Sequence, residues 1–124
     1  MSRTVTESDT AAAVGSGDVP VLATPRLIAW MEAATVRAAA PLLGAGETTV
    51  GVAVRIDHRR ATLVGGGVEI TVSGPERVTT KRLTFGVEAV DGSGQVVAAG
   101  EIDRVIVDRG TFLAAAAAAA PSAG

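Results

Sequence analysis

The feature that most constrains this chain is the stretch TPRLIAWMEAATVRAAAPLL at positions 24–43, succeeded by segments in which apolar and polar residues alternate. Ala, Leu and Met dominate the stretch, and all are strong helix formers. Thr24 suits an N-cap, and Pro25 suits the first turn, where a missing N–H costs nothing. Pro41 and Gly44 are placed to end the helix. About nineteen residues at roughly 1.5 Å each make a rod just under about 30 Å long. Leu27, Ile28, Trp30, Met31, Val36 and Leu42 leave it apolar over most of its perimeter, which predicts burial. Arg26, Glu32 and Arg37 are the charged residues in its body. Glu32, one turn from both Ile28 and Val36, is the anomaly.

Beyond the helix the chain takes on the two-residue period of strands. Residues 48–60 form a long strand whose even positions are Val50, Val52, Val54, Ile56 and His58. Those positions share one face of a regular strand, so His58 faces the helix while Arg55 and Asp57 face away. Residues 68–72 and 83–90 alternate in the same way. Asp91-Gly92-Ser93-Gly94 is a hairpin signal, and residues 95–107 read as the last strand. Short consecutive connections favour an antiparallel meander. Before the helix, residues 2–7 suggest a short strand. Residues 8–20, with Gly15, Ser16 and Gly17, suggest a loop able to run over a cleft. Residues 111–120 suggest a terminal helix stopped by Pro121. The expected architecture is α+β, a long central helix wrapped by an antiparallel sheet. Residues 1–113 form one domain, and 114–124 an Ala-rich tail with no assigned function.

Whole-chain properties remove several function classes. The 124 residues carry a formal net charge of −2, so no strong field for nucleic acid or an anionic membrane is present. Aromatic content of 2% argues against base-stacking platforms. The absence of Cys excludes disulfides and thiol chemistry. Residues 1–14 lack the apolar run of a signal peptide, and no stretch reads as a membrane span, so a cytoplasmic protein is expected. Neither GSGDVP nor GGG has the spacing of a phosphate-binding loop.

Few residues are left that could carry chemistry. Carboxylates are rarely buried without a partner, so Glu32 implies an arginine beside it, a small window to solvent, or a cleft in which it works as base or nucleophile. His58 is the single histidine. It could fill a rim position, but a carboxylate and an imidazole on the same side suit hydrolysis. Thr24 and Glu32 are eight residues apart, about 12 Å along a helix, so they bracket a ligand rather than touch. Gly51 in the strand marks either tight packing or a close approach of backbone to ligand. Arg59 and Arg60 close the same strand, and a solvated strand end accounts for them.

The segments VLATPRLIAWMEAATVRAAAPLL, TTVGVAVRIDH and RLTFGVEAVDGSGQVVAAGEIDRVIVD resemble the hotdog-fold thioesterases similar to fluoroacetyl-CoA thioesterase. The likeness runs from about residue 2 to 113. It is most specific in the A-T-P start of the helix, the M-E-x-A core and the V-G-x-x-V-x-x-x-H strand. The resemblance implies a hotdog fold, a long helix wrapped by a curved antiparallel sheet, paired into a homodimer or a tetramer. It also implies a Thr, a Glu and a His around a thioester, at Thr24, Glu32 and His58. A backbone N–H at Gly51 would meet the thioester carbonyl, and Arg59 and Arg60 could meet coenzyme A phosphates. No cofactor is expected beyond coenzyme A as part of the substrate, and no nucleic-acid or membrane partner. The fluoroacetyl-specific member carries an aromatic lid near the helix start, whereas this chain has no Phe or Tyr before Trp30. A broader short-to-medium acyl-CoA preference is therefore expected. The alternative is a non-catalytic acyl-CoA or small-ligand binding module on the same fold. A hydratase is disfavoured, because Asp57 directly beside His58 does not give the Asp-to-His geometry across a loop.

Overall fold

A computed structural model describes residues 1–121. The chain begins with β1 (Ser2–Thr4), a 3-10 turn at Glu7–Asp9 and α1 (Ala11–Val14). The long helix α2 (Thr24–Ala39) comes next, with a 3-10 turn at Ala40–Leu42. Then come β2 (Glu47–His58), β3 (Gly67–Thr79), β4 (Arg82–Asp91), β5 (Val96–Asp108) and α3 (Arg109–Ala119). The five strands form one antiparallel sheet in the order β1-β3-β4-β5-β2.

Only β3, β4 and β5 form the expected meander. The first long strand, β2, pairs with β5 at the far edge rather than with β3. Crossing from β2 to β3 means passing three strand spacings, about 14 Å. The link at residues 59–66 can reach about 25 Å, so the crossing is feasible without a further element. The same link anchors the segment before α2, since Leu22 N–H donates to the Thr62 carbonyl and Val21 bridges Leu63.

Helix α2 buries Leu27, Met31, Ala34, Thr35 and Ala39, a stripe at helical spacing. Leu27 and Met31 pack with Ile70, Val87, Val97 and Ile102 of the sheet. Each such side chain contributes about 1.5–3 kcal/mol on full burial. A second cluster, Ala39, Leu83 and Phe85, closes the far end. The expectation of a helix buried nearly all round does not hold. A single sheet offers one concave face, so Thr24, Pro25, Ala29 and Val36 remain exposed.

Both ends of α2 differ from the sequence expectation. Ala23 occupies the N-cap position and Thr24 is the first helical residue, so the Thr24 hydroxyl caps nothing. At the other end the α-helix stops at Ala39. Pro41, which has no N–H to donate, falls in the 3-10 turn. The predicted loop over residues 8–20 is also more ordered than expected. Thr10 caps α1 by accepting from the Ala13 N–H at 3.2 Å.

Strand β2 carries a β-bulge between Gly51 and Ala53, opposite Arg104 and Asp103 of β5. The extra residue changes which parity faces the helix. Before it, Thr49 and Gly51 lie toward α2; after it, Val54, Ile56 and His58 do. The single even-numbered face expected for residues 50–58 therefore splits, and Gly51 joins His58 on the helix side. Close approach of backbones sets Gly100 of β5, where a Cβ would collide with the Arg55 carbonyl of β2. On the convex face Arg55 and Arg82 both donate to the buried Asp103 carboxylate, at 2.8 and 2.7 Å. Hydrogen bonds from these arginines hold that carboxyl well below the usual carboxylate range.

Candidate active site

One flank of α2, facing β2, gathers the polar residues in two groups. The first lies at the start of the helix. Freed from capping, Thr24 Oγ1 hydrogen-bonds His58 Nδ1 at 2.7 Å. Helix start and strand end are thus joined by a hydroxyl–imidazole pair, in which donor and acceptor roles follow the imidazole tautomer. The other ring nitrogen, Nε2, is buried and has no hydrogen-bond partner among the described residues. Burial lowers the His58 pKa below its ordinary value of 6.5, and the nearby Arg60 backbone opposes the shift. The ring is therefore a neutral imidazole near pH 7, able to accept a proton.

This pair opens into a cleft of about 280 Å³. Arg59 and Arg60 line it from the end of β2. Ala11, Ser16, Gly17 and Val19 line it from the segment before α2. The run expected to cross a cleft does so, and it presents small side chains.

The second group lies two turns further along α2. Glu32 is partly exposed, its side chain at 39%, and its Oε2 is 3.6 Å from a guanidinium nitrogen of Arg104, which is only 7% exposed. Glu32 also abuts Gly51. A Cβ on residue 51 would lie 2.6 Å from Glu32 Oε2 and 3.4 Å from the Arg104 guanidinium. The absent side chain is what lets the carboxylate lie against the β2 backbone. Both structural explanations offered for Glu32, an arginine and a window to solvent, are present together.

Arg104 is the residue that sequence reasoning missed. It projects from β5 under α2, donating to Thr49 Oγ1 at 2.8 Å, to the Thr49 carbonyl at 3.3 Å and to Thr35 Oγ1 at 3.5 Å. Burial lowers its pKa from the ordinary arginine value, and the charge of Glu32 opposes this. A signal was available. Arg104 stands between Ile102 and Ile106 in the inward-facing alternation of β5. A lone cation in one buried pattern and a lone carboxylate in another imply each other.

Thr24 and His58 are therefore in contact, as are Glu32 and Gly51. The two groups are separated by the eight-residue rise of α2, about 12 Å. Arg59 and Arg60 belong to the Thr24–His58 end. Chemically, the flank offers a carboxylate held by a guanidinium, a neutral imidazole bonded to a hydroxyl, and an apolar strand between them. Among the described residues no group of three or more His, Asp or Glu side chains could hold a metal ion.

The sequence profile of the fluoroacetyl-CoA-specific thioesterase family, FlK, matches residues 5–110. No curated protein matches the chain by sequence. The fold is similar to that of a point mutant of the fluoroacetyl-CoA-specific thioesterase FlK in complex with fluoroacetate and CoA. The TM-score is 0.88 at 29% identity, covering 98% of both chains. A thioesterase superfamily member from Thermus thermophilus is similar at 27% identity and TM-score 0.87, over 95% of this chain and 86% of that one. A hot-dog-like protein from Thermanaerovibrio acidaminovorans shares the fold at 24% identity and TM-score 0.88, over 99% and 90%. With its helix wrapped by a five-stranded antiparallel sheet, the chain has the hotdog fold and belongs to the fluoroacetyl-CoA-specific thioesterase family of thioester hydrolases.

Proposed function

We propose that this protein hydrolyses short-to-medium acyl-CoA thioesters, with the acyl carbonyl bracketed between the Thr24–His58 pair and Glu32. The observation that carries the reading is the convergence on one flank of α2: Thr24 bonded to a neutral His58, and Glu32 against Gly51 and braced by Arg104. Membership of a thioesterase family adds to it.

In the proposed reaction, water attacks the carbonyl carbon and the carbon–sulfur bond breaks. A carboxylate and the thiol of coenzyme A are released. Glu32 takes one proton of the attacking water and later returns it to solvent, or attacks first and yields an anhydride that water then opens. His58, unprotonated near pH 7, accepts the other proton of that water and passes it to the departing sulfur. Thr24 orients the acyl group or the water. The Gly51 N–H stabilises the oxyanion, and in a site shielded from bulk water one such donor contributes about 10²-fold or more. Arg59 and Arg60 bind an anionic part of the substrate. No cofactor takes part other than the coenzyme A of the substrate itself.

The proposed working unit is a dimer. The outer edge of β2 has no strand beside it, and exposed Val36, Val52 and Val54 lie near it. An unpaired edge next to an apolar strip is covered when two copies pair. Light scattering at micromolar concentration checks this, and a monomer counts against it.

The deciding experiment is thiol release from a panel of acyl-CoA esters by wild type and Glu32→Gln. Turnover on at least one ester is expected, with a drop of about 10²-fold in the variant. Tight binding with no thiol release from any ester would instead identify a binding module.

A further inference from the structure

We infer that the cleft beside Thr24 and His58 selects acyl groups that end in a carboxylate, held by Arg59 and Arg60. The inference rests on the proposed thioester substrate and names its chemical class.

Three observations lead there. First, both arginines line the same cleft as Thr24 and His58. Their backbones are anchored, because the Arg59 and Arg60 backbone N–H groups donate to the Val97 carbonyl at 2.7 and 3.2 Å. Second, neither guanidinium has a carboxylate within ion-pair distance among the described residues. Arg26, Arg55, Arg77, Arg82 and Arg104 each have one, and of the described arginines without one only Arg59 and Arg60 line this cleft. Asp91 feels the Arg60 charge from beyond contact distance, and two cations with no carboxylate in contact at the wall of a cleft favour an anionic ligand. Third, the covering segment contributes the hydroxyl of Ser16 and the small side chains of Ala11 and Gly17, with no aromatic ring. Space remains for an acyl chain to extend toward the arginines.

Distance decides which anion fits. Arg59 and Arg60 come directly after His58, so their Cα atoms lie within about 7 Å of that of His58. In a four-carbon half-thioester three bonds separate the reacting carbonyl carbon from the far carboxylate carbon, about 4 Å. The first phosphate of coenzyme A is a dozen or so bonds from the sulfur, about 15 Å when extended. With the carbonyl between Glu32 and Thr24, an acyl carboxylate reaches the cleft wall at Arg59 and Arg60, whereas the phosphates lie well beyond it.

The test is calorimetric binding of two non-hydrolysable analogues in which methylene replaces the thioester sulfur. One carries a succinyl group and the other a butyryl group, each on coenzyme A and on pantetheine, which lacks the phosphates. Wild type, Arg59→Gln, Arg60→Gln and the double variant are compared, with circular dichroism confirming the fold. Wild type is expected to prefer succinyl by about five- to tenfold on both carriers. The double variant is expected to lose that preference. Equal binding of the two chains in wild type would overturn the inference, as would a preference that survives in the double variant. An equal loss for both chains on coenzyme A, absent on pantetheine, would overturn it too and place the arginines on phosphates. Since binding is read without turnover, a failed hydrolysis panel bears on the proposed reaction and a missing chain preference bears on this inference.

Discussion

Gly51→Ala separates placement of the catalytic carboxylate from stability. The added Cβ would sit 2.6 Å from Glu32 Oε2 and 3.4 Å from the Arg104 guanidinium. An ordinary contact begins at about 3.4 Å, so the carboxylate must retreat by close to 1 Å. The obstacle is the end of a flexible side chain, and the Gly51 φ is not in the left-handed region. Folding should therefore be nearly unaffected. A strand alanine even reduces the freedom of the unfolded chain, by about 0.4–1 kcal/mol. A misplacement near 1 Å costs roughly 10²-fold in rate. The expected result is kcat/KM down by about that factor, with a thermal midpoint within a few degrees of wild type. Gly100→Ala is the contrast. There the Cβ meets a backbone carbonyl that cannot swing aside, so the loss should appear in stability. If Gly51→Ala hydrolyses thioesters as fast as wild type, the place of Glu32 against β2 has no part in catalysis, and the bracketed geometry is wrong.

Arg104→Met keeps the stem and removes the charge. It is expected to lower kcat by about tenfold as Glu32 loses its brace, and stability by about 1–2 kcal/mol as Thr49 and Thr35 lose their donor; an unchanged kcat would show that Glu32 is oriented without it. Burial depresses the folded-state pKa of His58, so its neutral form favours folding. That contribution is whole above the unfolded pKa of 6.5 and is lost as pH falls through the folded pKa; the acid limb of kcat/KM should accordingly have its midpoint below 6.5, and a midpoint above it would exclude His58 as the base. Small side chains over the cleft cannot close on a two-carbon acyl group, so the kcat/KM ratio for fluoroacetyl-CoA over acetyl-CoA should stay below about 10²; a larger ratio would require a gate elsewhere, with Trp30 or Met31 the residues to substitute.

The part of this protein that its sequence determined alone was set by local periodicity. A helix-forming run succeeded by two-residue alternation leaves little choice but a helix against a sheet. The placement of Glu32 on that helix and of His58 at the end of a strand comes from counting. The tertiary structure decided what counting along the chain cannot reach. Thr24 reads as a cap because caps are a local pattern, yet it stands one residue inside the helix, and its hydroxyl belongs to His58. Gly51 and His58 differ in parity and should oppose each other. The bulge between Gly51 and Ala53 turns them to the same side, and it exists through pairing with β5. Arg104 meets Glu32 across 72 residues, because β2 joins β5 rather than its neighbour in sequence. Such a meeting depends on strand order, which is settled by how the whole sheet closes over α2 rather than by any one segment.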